Sequence, residues 1–134
     1  MSRLKCLTVV FALTAAACGS STAPTTTPNA ATTITDTYSG EIKPNNGQTW
    51  SFVTSQSGEI TARITALAPD STLVVGLALG TWNGTSCQVV LVNDKATLNS
   101  SLFGQASSSG NLCVRVSVGD VVESVTYEVQ VTHF

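Results

Sequence analysis

Charge is what this chain has least of. Only 10% of its 134 residues are Asp, Glu, Lys or Arg, against about a quarter in ordinary soluble domains. The formal net charge is −2, and setting aside Arg3 and Lys5 leaves Lys43, Arg63, Lys95 and Arg115 against eight acidic residues, a net −4. No Lys/Arg cluster exists to neutralise phosphates or to attract anionic lipid headgroups. Nucleic acid and a polybasic membrane contact are therefore excluded as partners. Histidine occurs once, at His133, so a Ser–His or Cys–His nucleophilic pair has almost nothing to draw on. Next to the end of the sequence, that side chain is expected to be exposed and idle. Gly-x-Ser-x-Gly, His-Glu-x-x-His and Gly-rich phosphate-loop patterns are all missing. Asp70, Asp94, Asp120 and Glu123 fall in expected turns, where carboxylates are solvated. A glycoside-cleaving pair needs a cleft and a raised pKa, and the pattern argues for neither. The expectation is a protein that is not an enzyme and carries no cofactor or metal.

Long apolar runs are missing too. The longest mostly apolar stretch, from Leu7 to Ala17, is shorter than the roughly 20 residues that span a bilayer. It follows Arg3 and Lys5 and ends in small residues, the layout of an export signal. "LTAAAC" resembles the lipobox of bacterial lipoproteins, with Ala16 and Ala17 preceding Cys18. The resemblance implies cleavage before Cys18 and lipidation of its thiol. Several acyl chains anchor far better than one, since each buried methylene adds about 0.8 kcal/mol. Gly19, in place of Asp, is similar to lipoproteins sent to the outer membrane. Ala15 stands where the family usually has Leu, and cleavage near Ala17 to give a secreted or periplasmic protein is the alternative. Residues 1–17 are thus expected to be a signal peptide. Residues 18–34, rich in Ser, Thr and Pro and almost devoid of large apolar groups, form a tether that buries too little surface to fold.

The rest, 35–134, reads as one all-β domain. "EITARITAL" places Ile60, Ala62, Ile64 and Ala66 on one face and Thr61, Arg63 and Thr65 on the other, the period of a half-buried strand. "QTWSFVT" turns Trp50 and Phe52 the same way. "TLVVGLALGTW" aligns Leu73, Val75, Leu77 and Leu79, while Val74, Gly76 and Ala78 make the opposite face small and apolar, as suits a strand covered on both sides or approached closely by another backbone at Gly76. "LCVRVSV" and "VTYEVQVTHF" alternate equally cleanly. Turn clusters at Asn46-Gly47 and Asn83-Gly84 separate the runs. About eight short strands at this spacing predict a two-sheet antiparallel β-sandwich, jelly-roll-like in plan.

The run "GEIKPNNGQTWSFVTSQSGEITARITAL", with "SSSGNLCVRVSV" and "VTYEVQVT", is similar to bacterial pre-peptidase C-terminal (PPC-like) domains. That resemblance implies a jelly-roll-like sandwich of the kind appended to secreted peptidases. Where many members carry Asp-x-Asp, "STLVVGLAL" has Leu73 and Val75, so no calcium ligands come with it.

Four cysteines remain to be placed. Cys6 leaves with the leader and Cys18 is the lipid site, so Cys87 and Cys113 are expected to pair as a disulfide in an exported protein. Trp82 and Asn83, in the turn beside it, are the candidate ligand-binding residues; for Trp82, capping the sandwich end against the disulfide is the structural alternative. The functional expectation is a non-enzymatic, exported, surface-anchored module with a structural or protein-interaction role, monomeric and touching membrane only through its lipid. A carbohydrate-binding module using an exposed Trp82 is the alternative.

Overall fold

The computed structural model describes residues 30–134; the leader, Cys18 and most of the tether lie outside the described residues. Eight strands form: β1 (Ile34–Ile42), β2 (Gly47–Thr54), β3 (Gly58–Ala68), β4 (Val75–Trp82), β5 (Cys87–Ala96), β6 (Ser101–Ala106), β7 (Gly110–Ser117) and β8 (Val125–His133). They build two four-stranded sheets in the orders β1-β8-β3-β6 and β2-β7-β4-β5. All pairings are antiparallel. Successive strands alternate between sheets except at β4–β5, a hairpin inside one sheet. This order is a jelly roll, as the sequence predicted.

Alternation along each strand supplies the core. From β8, Val125, Tyr127, Val129 and Val131 point between the sheets, and from β7, Val114 and Val116 meet them. Ile42, Phe52, Ile60, Ile64, Leu77 and Leu79 complete the layer. Burying each such side chain contributes about 1.5–3 kcal/mol relative to exposure.

Two expectations need correction in β3 and β5. The apolar face of β3 does not continue to Ala66. A bulge between Ile64 and Ala66 shifts the register, so Ala66 is exposed and Leu67 is buried. Turning Leu67 inward buries several more methylenes than Ala66 would, each about 0.8 kcal/mol. The bulged Thr65 still bonds Glu128, its hydroxyl 2.7 Å from Oε1. Asp94 lies in β5 and not in a turn, because pairing with β4 runs as far as Ala96 opposite Val75.

His133 is a third correction. It is 2% exposed, with Nε2 2.9 Å from Asp36 Oδ2 and its ring 5.0 Å from that of Phe52. It simply continues the inward series of β8, opposite Ile34 and next to Asp36 on β1. A polar group so placed is tolerated because it is hydrogen-bonded.

Candidate interaction edge

A sandwich has two open sides, and here they differ in kind. On one side lie the edge strands β1 and β2. Tyr38 stacks on Trp50 at a centroid distance of 5.4 Å. The Trp50 indole N–H donates to the Tyr127 hydroxyl at 2.7 Å, and that hydroxyl donates to Gln48 Oε1 at 2.7 Å. Gly40 makes this network fit, since a Cβ there would collide with Gln48 Oε1. Trp50 is thus half-buried and bonded, while Phe52 is fully in the core.

Burial, and then the neighbouring Asp36 carboxylate, push Tyr38 up to about 12 from 10.0. Burial also raises Tyr127, partly offset by the Trp50 hydrogen bond. A raised tyrosine pKa favours the protonated form in the folded state. The stability it contributes is complete below pH 10 and is lost as pH climbs towards 12. Melting temperatures between pH 8 and 12 should therefore fall mainly above pH 10, and Tyr38→Phe should flatten that fall. Equal slopes for both proteins would contradict the assignment.

The other side, where β5 and β6 are the edge strands, is built differently. Val89, Val90, Leu91 and Val92 are four consecutive aliphatic residues of β5, exposed by 46%, 70%, 37% and 56%. Phe103 on β6 is 61% exposed. Between the strands, Gly104 leaves room where a side chain would reach Leu91 and Leu79. An apolar slot of about 100 Å³ results, lined by Phe52, Ile60, Leu79, Val90, Leu91 and Leu112 among others. Among the described residues no strand pairs with the outer side of β5, so its backbone donors and acceptors on that side are open to a partner. The charges on β5 are Asp94 and Lys95, adjacent and opposite, past the aliphatic run.

Local chemistry explains how β5 is held. The hairpin turn is closed by Asn83, whose Oδ1 accepts from the Thr85 and Ser86 amides at 2.9 and 2.8 Å. Its Nδ2 donates to Ser86 Oγ at 3.1 Å, and Gly84 takes φ 99°. Past the turn, β5 bulges between the pairs Leu79–Leu91 and Gly80–Val89. A Cβ on Gly80 would collide with the Gln88 carbonyl, so β5 backbone occupies the space a side chain would fill. The closest backbone approach is here and not at Gly76, where a Cβ would collide with the Ser117 hydroxyl and would meet the Ser117 carbonyl oxygen and Asp94 Oδ1 only at ordinary contact distance. Cys87 lies opposite Trp82, and Cys113 opposite Gly80 on the far side of β4. Strands flanking a third are normally about 9.5 Å apart, yet these Cα atoms are 5.7 Å apart and joined by the disulfide. The start of β5 therefore curls over the outer face of β4.

The sequence-predicted residues are thus partly brought together. Cys87 and Cys113 form the expected disulfide. Trp82 is half-buried beside it. The amide of Asn83 is engaged in the turn rather than turned to a ligand. Cys18 lies outside the described residues. Among those residues no three His, Cys, Asp or Glu side chains gather as a metal site would require. A second apolar feature is the loop end, where Val122 is 99% exposed beside a hollow lined by Pro69, Leu73, Val121 and Val125. It lacks the unpaired backbone that gives an edge strand its direction.

By fold and site the described residues form an eight-stranded jelly-roll sandwich, with a stacked, hydrogen-bonded aromatic pair between the edge strands of one side and an apolar slot between those of the other. No protein-family model matches the chain, and no curated protein matches it either.

Proposed function

We propose that the chain is an exported, non-catalytic β-sandwich, anchored in the cell envelope through Cys18, that binds protein along its β5–β6 edge. The observation that carries this is the uncharged aliphatic run on β5. Edge strands are ordinarily shielded by charge, proline or a covering element, because exposed ones pair with other chains. Exposed apolar patches rimmed by polar residues mark interaction sites. Strand addition to such an edge uses main-chain hydrogen bonds for affinity and side-chain pockets for specificity; the open backbone of β5 and the slot beside Gly104 supply both.

The lipobox-like leader supports the anchor, and the PPC-like pattern supports a module that serves other proteins instead of acting on a substrate. The tether reaches the domain at Ile34. Strand pairing places Ile34 at the same end as the β4–β5 turn and the disulfide, which leaves the length of β5 accessible from the side.

One experiment tests address and edge together. A photoactivatable aromatic residue replaces Val90 in the full chain, expressed with and without Cys18→Ser in cells of an exporting bacterium. The parent should fractionate with membranes and give discrete adducts on illumination, and Cys18→Ser should move it to the soluble fraction. An unchanged fractionation overturns the anchor. Adducts no stronger than those from the same residue at exposed Thr126 overturn the edge.

A further inference from the structure

We infer that the loop end of the sandwich is a second docking site, for a segment of another protein in which an apolar side chain is flanked by Lys or Arg. The site shares no residue with the slot beside β5.

The β7–β8 loop runs Gly119-Asp120-Val121-Val122-Glu123-Ser124, two aliphatic residues between two carboxylates. Val121 packs partly against the core. Val122 is 99% exposed, more than any other large apolar side chain of the described residues. Beside it opens a hollow of about 360 Å³, lined by Pro69, Leu73, Val121, Val122, Val125 and one charged residue, Glu123. Local bonds set the loops that form it. The Gly119 carbonyl accepts from the Val121 and Asn45 amides at 3.0 and 2.8 Å. On the β3–β4 side, Asp70 Oδ1 accepts from the Thr72 amide and hydroxyl at 2.8 and 2.7 Å. The Thr72 amide, and then its hydroxyl, hold the Asp70 carboxyl below the usual carboxylate range.

Three features define the occupant. The first is charge. Glu123 stands in the wall, and Asp120 and Asp70 adjoin the lining residues Val121 and Pro69. None of the three is ion-paired among the described residues, where the one pair is Asp36–His133. Lys43 follows Ile42 and Lys95 precedes Ala96 at this end, but neither lines the hollow. A purely apolar partner would strip water from these carboxylates without compensation. Nucleic acid and anionic lipid would be repelled, whereas Lys or Arg on the rim complements the acids and speeds encounter. The second feature is shape. A small molecule filling the hollow leaves Val122 bare; a polypeptide covers both, with an apolar centre and a charged rim. Among the described residues no exposed aliphatic side chain stands between two cations, so a second copy does not offer this segment. The third is direction. β1 and β8 pair from Ile34–His133 at one end to Ile42–Val125 at the other. The hollow therefore lies a strand length, about 27 Å, from the point where the tether enters, and faces away from it.

The test titrates capped hexapeptides into the purified full chain by fluorescence anisotropy. The peptides carry a central Leu or Phe flanked by two Lys, two Ser or two Glu. The Lys peptides should bind saturably and about tenfold more tightly than the Ser peptides, as two rim ion pairs allow; the Glu peptides should not bind. Asp120→Asn with Glu123→Gln should erase the preference for Lys over Ser. Val122→Ser should weaken the Lys peptides about tenfold, the loss of one valine's burial. All three side chains are exposed, so melting temperatures matching the parent's separate lost binding from lost fold. No saturable binding of the Lys peptides, equal binding of the Lys and Ser peptides, or a Val122→Ser affinity equal to the parent's would each overturn the proposal.

Discussion

Removing the Cys87–Cys113 bridge should lower the free energy of unfolding by about 3.5 kcal/mol in the loop-entropy description. The bridged cysteines are 26 positions apart, and a loop of that length sets the figure. For a domain of this size the melting temperature should drop by roughly 15 °C. The best variant is Cys87→Ser with Cys113→Ala, because Cys113 is 0% exposed and a serine hydroxyl there would be buried without an assured partner. Denaturant unfolding of parent and variant, with the parent repeated in reductant, measures the difference. Agreement between variant and reduced parent shows that the loss comes from the cross-link and not from the substitutions. A change below about 1 kcal/mol would mean that the curled hairpin is held by its other contacts, chiefly the bulge and the Asn83 turn.

Much of the fold was readable because apolar alternation carries through most strands. Where Val125, Tyr127, Val129 and Val131 recur at every second position, the inward face is decided by the sequence, and the same count places His133 inside. What concealed His133 was its residue type: imidazole suggests exposure until Asp36, some 97 positions earlier, arrives beside it. Non-local polar pairing has no local signature. The bulge at Thr65 escaped for a different reason. Ala66 and Leu67 are both apolar, and only the competition to fill the core chooses between them. The β5 run is the clearest case. Four aliphatic residues in succession have no period, so they assign neither a face nor a place in the sheet. Its position at an edge follows from strand order, a property of the whole topology. The candidate site was for that reason hardly visible beforehand, whereas the disulfide beside it followed from counting cysteines in a chain expected to be exported.

Gly80→Ala should destabilise the domain by about 3 kcal/mol, at the upper end of what an added methylene costs in a packed interior. The clash is with main chain: the new Cβ meets the Gln88 carbonyl, with Val89 Cα at 2.9 Å. A flexible side chain would rotate away; a strand held by β4 pairing on one side of the bulge and a disulfide on the other has little freedom to do so. Relief requires β5 to lift from β4, which moves Cys87 away from Cys113. The substitution should therefore also leave a measurable fraction of both cysteines as free thiols after oxidative folding. Making Gly80→Ala in the Cys87→Ser, Cys113→Ala background tests the mechanism. Without the bridge, β5 can shift outward, so the combined loss should fall short of the sum of the separate losses by 1 kcal/mol or more, as about 0.5–3 kcal/mol is usual for coupled neighbours. Strict additivity would show that Gly80 and the disulfide act independently, and the curled hairpin would then owe its shape to the bulge alone. The same variant bears on the exposed edge. Lifting β5 changes the setting of Val90 and Leu91 in the slot, so association through this edge should weaken in Gly80→Ala although no exposed residue has changed.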